Sequence, residues 1–232
     1  LWSRNHYVEW HQRESGEGLY ARAGRFMPTY GLRLAEHTAY TRGYGGTPLF
    51  SEAYGASVGW VTPGAELHLT GFVHDRWQDS IEDGDGAALY AEKRFGKIAV
   101  GAEARYANGA EDVRTQGGAT AKLWLDGPAV LLSAEAQVVH QTFDAGGKRN
   151  QAVAYLLASW FFAHSYFLDV GLGHYDEDVK VPDVDRDTVE VNLHWFPKTH
   201  MELVLMGRLQ MIALGNGGDN ASYGLVQFHY RM

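Results

Sequence analysis

Apolar and polar residues alternate with a period of two along most of this chain. In 188–196, TVEVNLHWF, Val189, Val191, Leu193 and Trp195 share one face, and Thr188, Glu190, Asn192 and His194 share the other. In 98–106, Ile98, Val100, Ala102 and Ala104 oppose Glu103 and Arg105; in 201–210, Met201, Leu203, Leu205 and Leu209 oppose Glu202, Arg208 and Gln210. Period two is the side-chain rhythm of a strand whose faces meet different surroundings. It predicts thirteen strands, at about 5–13, 19–27, 55–62, 65–76, 87–95, 97–108, 117–126, 128–142, 150–162, 164–175, 187–197, 199–213 and 221–232. Several run ten residues or more. Ordinary strands run about five or six residues, whereas a tilted strand needs about 9–11 to cross a bilayer.

The connections alternate in length. Short ones read SGEG (15–18), PG (63–64), GK (96–97), DGP (126–128), AHS (163–165) and PKT (197–199); long ones cover 28–54, 77–86, 109–118, 144–150, 176–187 and 215–220. Tight turns at one end of a sheet and long loops at the other are the build of outer-membrane barrels. The predicted fold is all-β: an antiparallel up-and-down transmembrane β-barrel, one domain over 1–232. Counting turns puts the last strand's end at the short-turn, periplasmic side and the first strand's start at the long-loop side. Bacterial single-chain barrels have an even strand count, so the expectation is fourteen or more strands in the complete protein, at least one of them before Leu1.

Composition agrees with that class. No run of eighteen apolar residues occurs, so no helix is long and apolar enough to cross a membrane. Glycine at 28 residues and aromatics at 13 % suit strands, turns and interfacial girdles. The girdle candidates near strand ends are Trp60, Trp77, Phe95, Tyr106, Trp124, Trp160, Phe161, Tyr166, Tyr175, Trp195, Phe196 and Tyr230. With no cysteine there is no disulfide scaffold, thiol catalyst, Cys-ligated metal or attached c-type haem. A net charge of −8 and no basic patch argue against a nucleic-acid partner.

The polar face is the informative one. It carries Glu66, His68, Glu92, Arg94, Glu103, Arg105, Lys122, Glu135, Asp169, Glu190, His194, Glu202, Arg208, Gln227, His229 and Arg231. An Arg or Lys facing lipid at mid-bilayer costs about 2–4 kcal/mol, so this set is expected to face the lumen, with opposite charges pairing across strands. Such a lumen reads equally as a hydrated pore or as a polar socket around a plug or partner.

Catalytic and metal signatures are weak. The eleven histidines are scattered, with no HExxH and no close carboxylate–His cluster along the chain. Ser133 and His140 fall on opposite faces of one strand, as do the neighbours His74 and Asp75, and no G-x-S-x-G frame occurs. The acidic loops DSIEDGDG and DEDVKVPDVDRD could bridge divalent cations to lipopolysaccharide but lack the ordered spacing of an EF-hand loop. The expectation is no enzyme, no cofactor and no metal.

The segment 28–54 is the one long excursion. Pro28 ends the strand before it, and Tyr30, Arg33, Tyr40, Arg42 and Tyr44 stand among glycines. Long structured loops are usually functional or folded inward. These residues are the candidates for an infolded constriction, with a plain surface loop as the alternative. AGRFMPTYGLRLAEHTAYTR, within this stretch, resembles the strand-and-loop signature of porin-like outer-membrane barrels, including those that sheathe multihaem cytochromes in electron conduits. The resemblance implies a passive channel or a barrel scaffold, with any haem supplied by a partner. The terminal FHYRM departs from the C-terminal aromatic common in such barrels. Expected surroundings are outer-membrane lipid and lipopolysaccharide, with a periplasmic or lumen-bound protein as a further expectation.

Overall fold

A computed structural model of the chain describes residues 5–32, 39–45, 51–75, 84–212 and 220–230. Thirteen antiparallel strands follow one another in chain order: β1 (His6–His11), β2 (Gly18–Phe26), β3 (Ala53–Thr62), β4 (Ala65–Val73), β5 (Asp85–Phe95), β6 (Ile98–Asn108), β7 (Asp112–Leu125), β8 (Val130–Phe143), β9 (Lys148–Ala163), β10 (Tyr166–Asp176), β11 (Asp185–Lys198), β12 (Met201–Ile212) and β13 (Ala221–Tyr230). A single turn of helix, α1 (Tyr40–Gly43), lies in the connection between β2 and β3. Each strand pairs with its chain neighbours, and β1 and β13 are the two edges of the sheet. The up-and-down all-β architecture read from the alternation is the architecture present.

Two of the expected long connections are tight. Residues 109–111 and 144–147 join β6 to β7 and β8 to β9, because Asp112–Gln116 continue β7 and pair with Val139–Phe143 of β8. DVRTQ shows little apolar rhythm, so alternation alone gives no sign of this strand extension; the ladder to β8 decides it. At the opposite end the turns are short. Gly96 takes φ +61°, the left-handed conformation that a two-residue hairpin turn demands.

The two faces are inverted relative to a water-soluble sheet. On β8 the buried positions are Ser133, Glu135, Gln137, Val139 and Gln141. Val138, between two of them, is 65 % exposed, while Gln137 is 3 % exposed. Leu67, Leu69, Leu89, Val100, Leu156, Val191 and Leu205 all present apolar side chains outward. A band of exposed apolar side chains around a polar, buried face is stable only where the exterior is hydrocarbon.

The aromatic residues divide between the faces. Trp160, Phe162, Tyr166 and Trp195 form a run of outward rings, with Tyr166 and Trp195 parallel at 6.1 Å. Trp60, Phe95, Tyr106 and Tyr230 also face outward. Trp124, Phe161, Tyr175 and Phe196, expected in the girdle, instead lie on the polar side. Trp124 meets Phe161 at 6.0 Å, Phe161 meets Phe167 at 5.4 Å, and Phe167 stacks on His194 at 4.0 Å and on Phe196 at 5.8 Å. Strand-end position alone does not separate these two sets; parity along each strand does. Trp77 lies outside the described residues.

Candidate functional site

The site is the polar face of the sheet and the part of the 27–52 connection that lies against it. Cross-strand pairing sets the charged residues beside one another. Glu92 accepts from Tyr90 Oη at 2.9 Å, Arg94 Nε at 3.0 Å and Lys122 Nζ at 2.6 Å. Glu66 lies 3.7 Å from Arg94 and 3.5 Å from His68 Nε2, and His68 Nδ1 is 2.7 Å from Tyr20 Oη. Arg105 donates to Gln116 at 3.0 Å.

On the other half of the wall, Tyr155 donates to Glu190, and Arg208 sits 3.9 Å from Glu190 while donating to Thr188 at 2.9 Å. His194 bridges Glu202 at 2.9 Å and Asp169 at 3.4 Å, and His229 reaches Glu202 at 3.0 Å. Glu103 and Glu135 are buried on the same face. Gln227 pairs with Val204 of β12 in the same row of inward positions. Arg231 lies outside the described residues.

The loop crosses this face. Tyr30 packs with Ala53, Phe72, Ala88 and Ala107, drawn from β3, β4, β5 and β6. Its hydroxyl is pushed well above the ordinary tyrosine range by burial first, then by the facing carboxyls of Glu103 and Glu135. Gly31 follows with φ +67°, and a Cβ there would run into Glu135 Oε1. Only glycine combines that backbone with that clearance.

Further along, Tyr40 packs with Val153 of β9 and Tyr175 of β10. The Arg208 guanidinium lies over the Tyr40 ring at 5.1 Å, and Arg186 donates to Tyr44 Oη at 3.4 Å. Burial, then neighbouring Tyr44, raises the Tyr40 hydroxyl, and Arg208 and Arg186 oppose this. Gly173 makes room for the Tyr40 ring, since a Cβ there would come within 3.2 Å of it. Arg42 donates to Met27 Sδ at 3.6 Å and lines a cavity of about 360 Å³ with Glu9, Tyr20, Arg22 and His68. Thus one connection between β2 and β3 touches the wall from β3 to β12. Arg33 lies outside the described residues.

Three placements were not legible along the chain. The inward aromatic run beside His194 is one. The second is the approach of Glu103 to Glu135 across β7. The third is the grouping of His174, Asp185 and Asp187 on the outward face, where β10–β11 pairing sets His174 opposite Asp187 with Nδ1 2.9 Å from its carboxylate. The three residues are separated in sequence and joined by the β10–β11 ladder. The group is partly exposed.

No family model and no curated protein matches the chain. Solved structures do. OmpT of Vibrio cholerae superposes with a TM-score of 0.72 at 12 % identity, over 89 % of this chain and 70 % of that one. An anion-selective porin from Comamonas acidovorans gives 0.69 at 14 %, over 92 % and 74 %. The outer-membrane channel DcaP of Acinetobacter baumannii gives 0.61 at 10 %, over 91 % and 72 %.

The fold is that of a porin-like outer-membrane β-barrel. With its apolar outer band, this barrel belongs in a bacterial outer membrane. The similar structures lend no support to the electron-conduit expectation.

Proposed function

We propose that the chain is a passive outer-membrane channel, not an enzyme, whose passage is narrowed by residues 27–32 and 39–45 of the β2–β3 connection, which lie on the inner wall. The observation that carries this is the anchoring of the loop at two separated places, Tyr30 on β3–β6 and Tyr40 with Tyr44 on β9–β12. A surface loop would leave these tyrosines in water; here Tyr30 and Tyr40 are each 2 % exposed. The wall around the loop carries both signs of charge, which favours water and small polar solutes over an apolar cargo. Similarity to a porin and a channel supports the same reading. Lipid and lipopolysaccharide contact the outer band and its rims in this arrangement.

The test is single-channel recording in planar bilayers with the refolded protein, with heat-modifiable gel migration as the check on folding. Steady conductance is expected, and it should change when Tyr30 and Tyr40 are replaced together by alanine. A folded protein that never conducts would sink the proposal.

A further inference from the structure

One row of the inner wall is apolar. Trp124 of β7, Leu131 of β8, Phe161 of β9, Phe167 of β10 and Phe196 of β11 fall at inward positions near the short-turn end of their strands. Trp124 pairs with Leu131, and Leu131 with Ser159, so the β8 member stands between the rings. Beyond it Phe161, Phe167 and Phe196 follow one another with centroids 5.4 and 5.8 Å apart. Phe161 and Phe196 are 43 % and 37 % exposed, whereas Ser159 and Asn192, farther in on the same strands, are buried. The rings therefore face the open lumen.

These rings are not an interfacial belt. The lipid side of the same strand ends carries its own, in Trp160, Phe162, Tyr166 and Trp195. Scattered apolar residues on a wetted surface are ordinary, but a contiguous patch of them marks a binding surface. Four strand spacings make this row about 19 Å wide, more than a single six-membered ring would cover.

A polar row runs beside it. Two residues farther in on each strand stand Lys122, Ser133, Ser159, Asp169 and His194, about 7 Å away along the strands. Its charges are matched. Lys122 is held by Glu92 at 2.6 Å, His194 stands between Glu202 at 2.9 Å and Asp169 at 3.4 Å, and His229 meets Glu202 at 3.0 Å. Carboxylates and imidazoles alternate, so no block of one charge lies over the rings. At the β11 end the row opens into a cavity of about 210 Å³ lined by Phe196, His200, Met201, Glu202 and His229. Donors and acceptors stand there beside an aromatic ring, the composition of a small-molecule site.

We propose that this double row binds a neutral linear oligosaccharide, its C–H faces on the rings and its hydroxyls on the polar row. A sugar ring has apolar faces and a rim of hydroxyls that both donate and accept, which matches an apolar strip beside mixed donors and acceptors. A wholly apolar solute would cover polar groups without pairing them, which is costly. An ion would meet charges already balanced. The inference deepens the channel reading and rests on it for passage of the sugar; binding is measured separately.

The experiment titrates the refolded full chain with cellotriose by calorimetry, with benzyltrimethylammonium as the cationic comparison. Cellotriose is expected to bind, and Phe161→Ala and Phe196→Ala should each weaken it about fivefold. Phe162→Ala, on the lipid side of the same strand, should change it less than about twofold. Saturation-transfer NMR on the wild type should mark the ring C–H protons of the sugar, and it decides the matter if the variants do not fold. A folded wild type that neither binds cellotriose nor transfers saturation to it overturns the proposal. So does tighter binding of the cation, or an equal loss in Phe161→Ala and Phe162→Ala. Bilayer recordings separate the two readings: cellotriose binding without conductance sinks the channel and leaves the site, and conductance without cellotriose binding sinks the site alone.

Discussion

The rings of Tyr44 and Tyr175 lie parallel, 3.9 Å apart with planes 4° from each other. One belongs to the loop after β2 and the other to β10, so this stack joins parts of the chain far apart in sequence. Replacing Tyr175 by alanine removes the stack and one wall of the Tyr40 pocket. Aromatic pairs contribute about 0.5–1.5 kcal/mol beyond their burial, enough to free the loop tip without unfolding the barrel. Single-channel recordings of Tyr175→Ala should show larger or noisier conductance than wild type, with normal heat-modifiable migration. Unchanged recordings would mean that the loop does not border the passage.

Gly173 tests the same anchoring from the wall side. A side chain there meets Thr188 Cγ2 at 2.7 Å and the Tyr40 ring at 3.2 Å. Gly173→Val should displace α1 while the strand keeps its register, since Val suits a strand. The expected readout is faster protease cleavage within residues 39–45 of the folded protein. Cleavage at the wild-type rate would contradict the packing.

The outward face can be probed at Val138, 65 % exposed on β8. Val138→Arg places a charge against hydrocarbon and should cost about 2–4 kcal/mol near mid-bilayer. Urea titration of folding into lipid vesicles measures this. A loss below about 0.5 kcal/mol would place Val138 away from lipid, since surface substitutions stay within that range.

Alkaline pH should release the loop. The Tyr30 hydroxyl is raised in the folded state, by burial first. Its contribution is therefore complete below the unfolded tyrosine value of about 10 and declines as pH rises above it, by up to about 1.4 kcal/mol per pH unit. Wild-type conductance should become unstable above about pH 10, and Tyr30→Phe should be less affected. Equal alkaline sensitivity in the two proteins would exclude Tyr30 as the cause.

Much of this molecule is legible along the chain. Alternation in TVEVNLHWF and its counterparts assigns each residue to a face, because successive strand side chains point to opposite sides. The inverted faces, with Val138 outward and Gln137 inward, follow from that parity once the exterior is lipid. The thirteen strands and the unusual length of the β2–β3 connection were readable in the same way.

Parity does not say which residue of one strand stands beside which residue of another. Asp112–Gln116 are a strand because β8 offers them a ladder. Glu103 reaches Glu135 because the strand between them carries glycine at that row. Tyr44 finds Tyr175 only because the sheet curls far enough to bring β10 under a loop that began at β2. Faces are a local property of the backbone and the sequence determines them; neighbours are set by hydrogen-bonded register and sheet curvature, which only the tertiary structure decides.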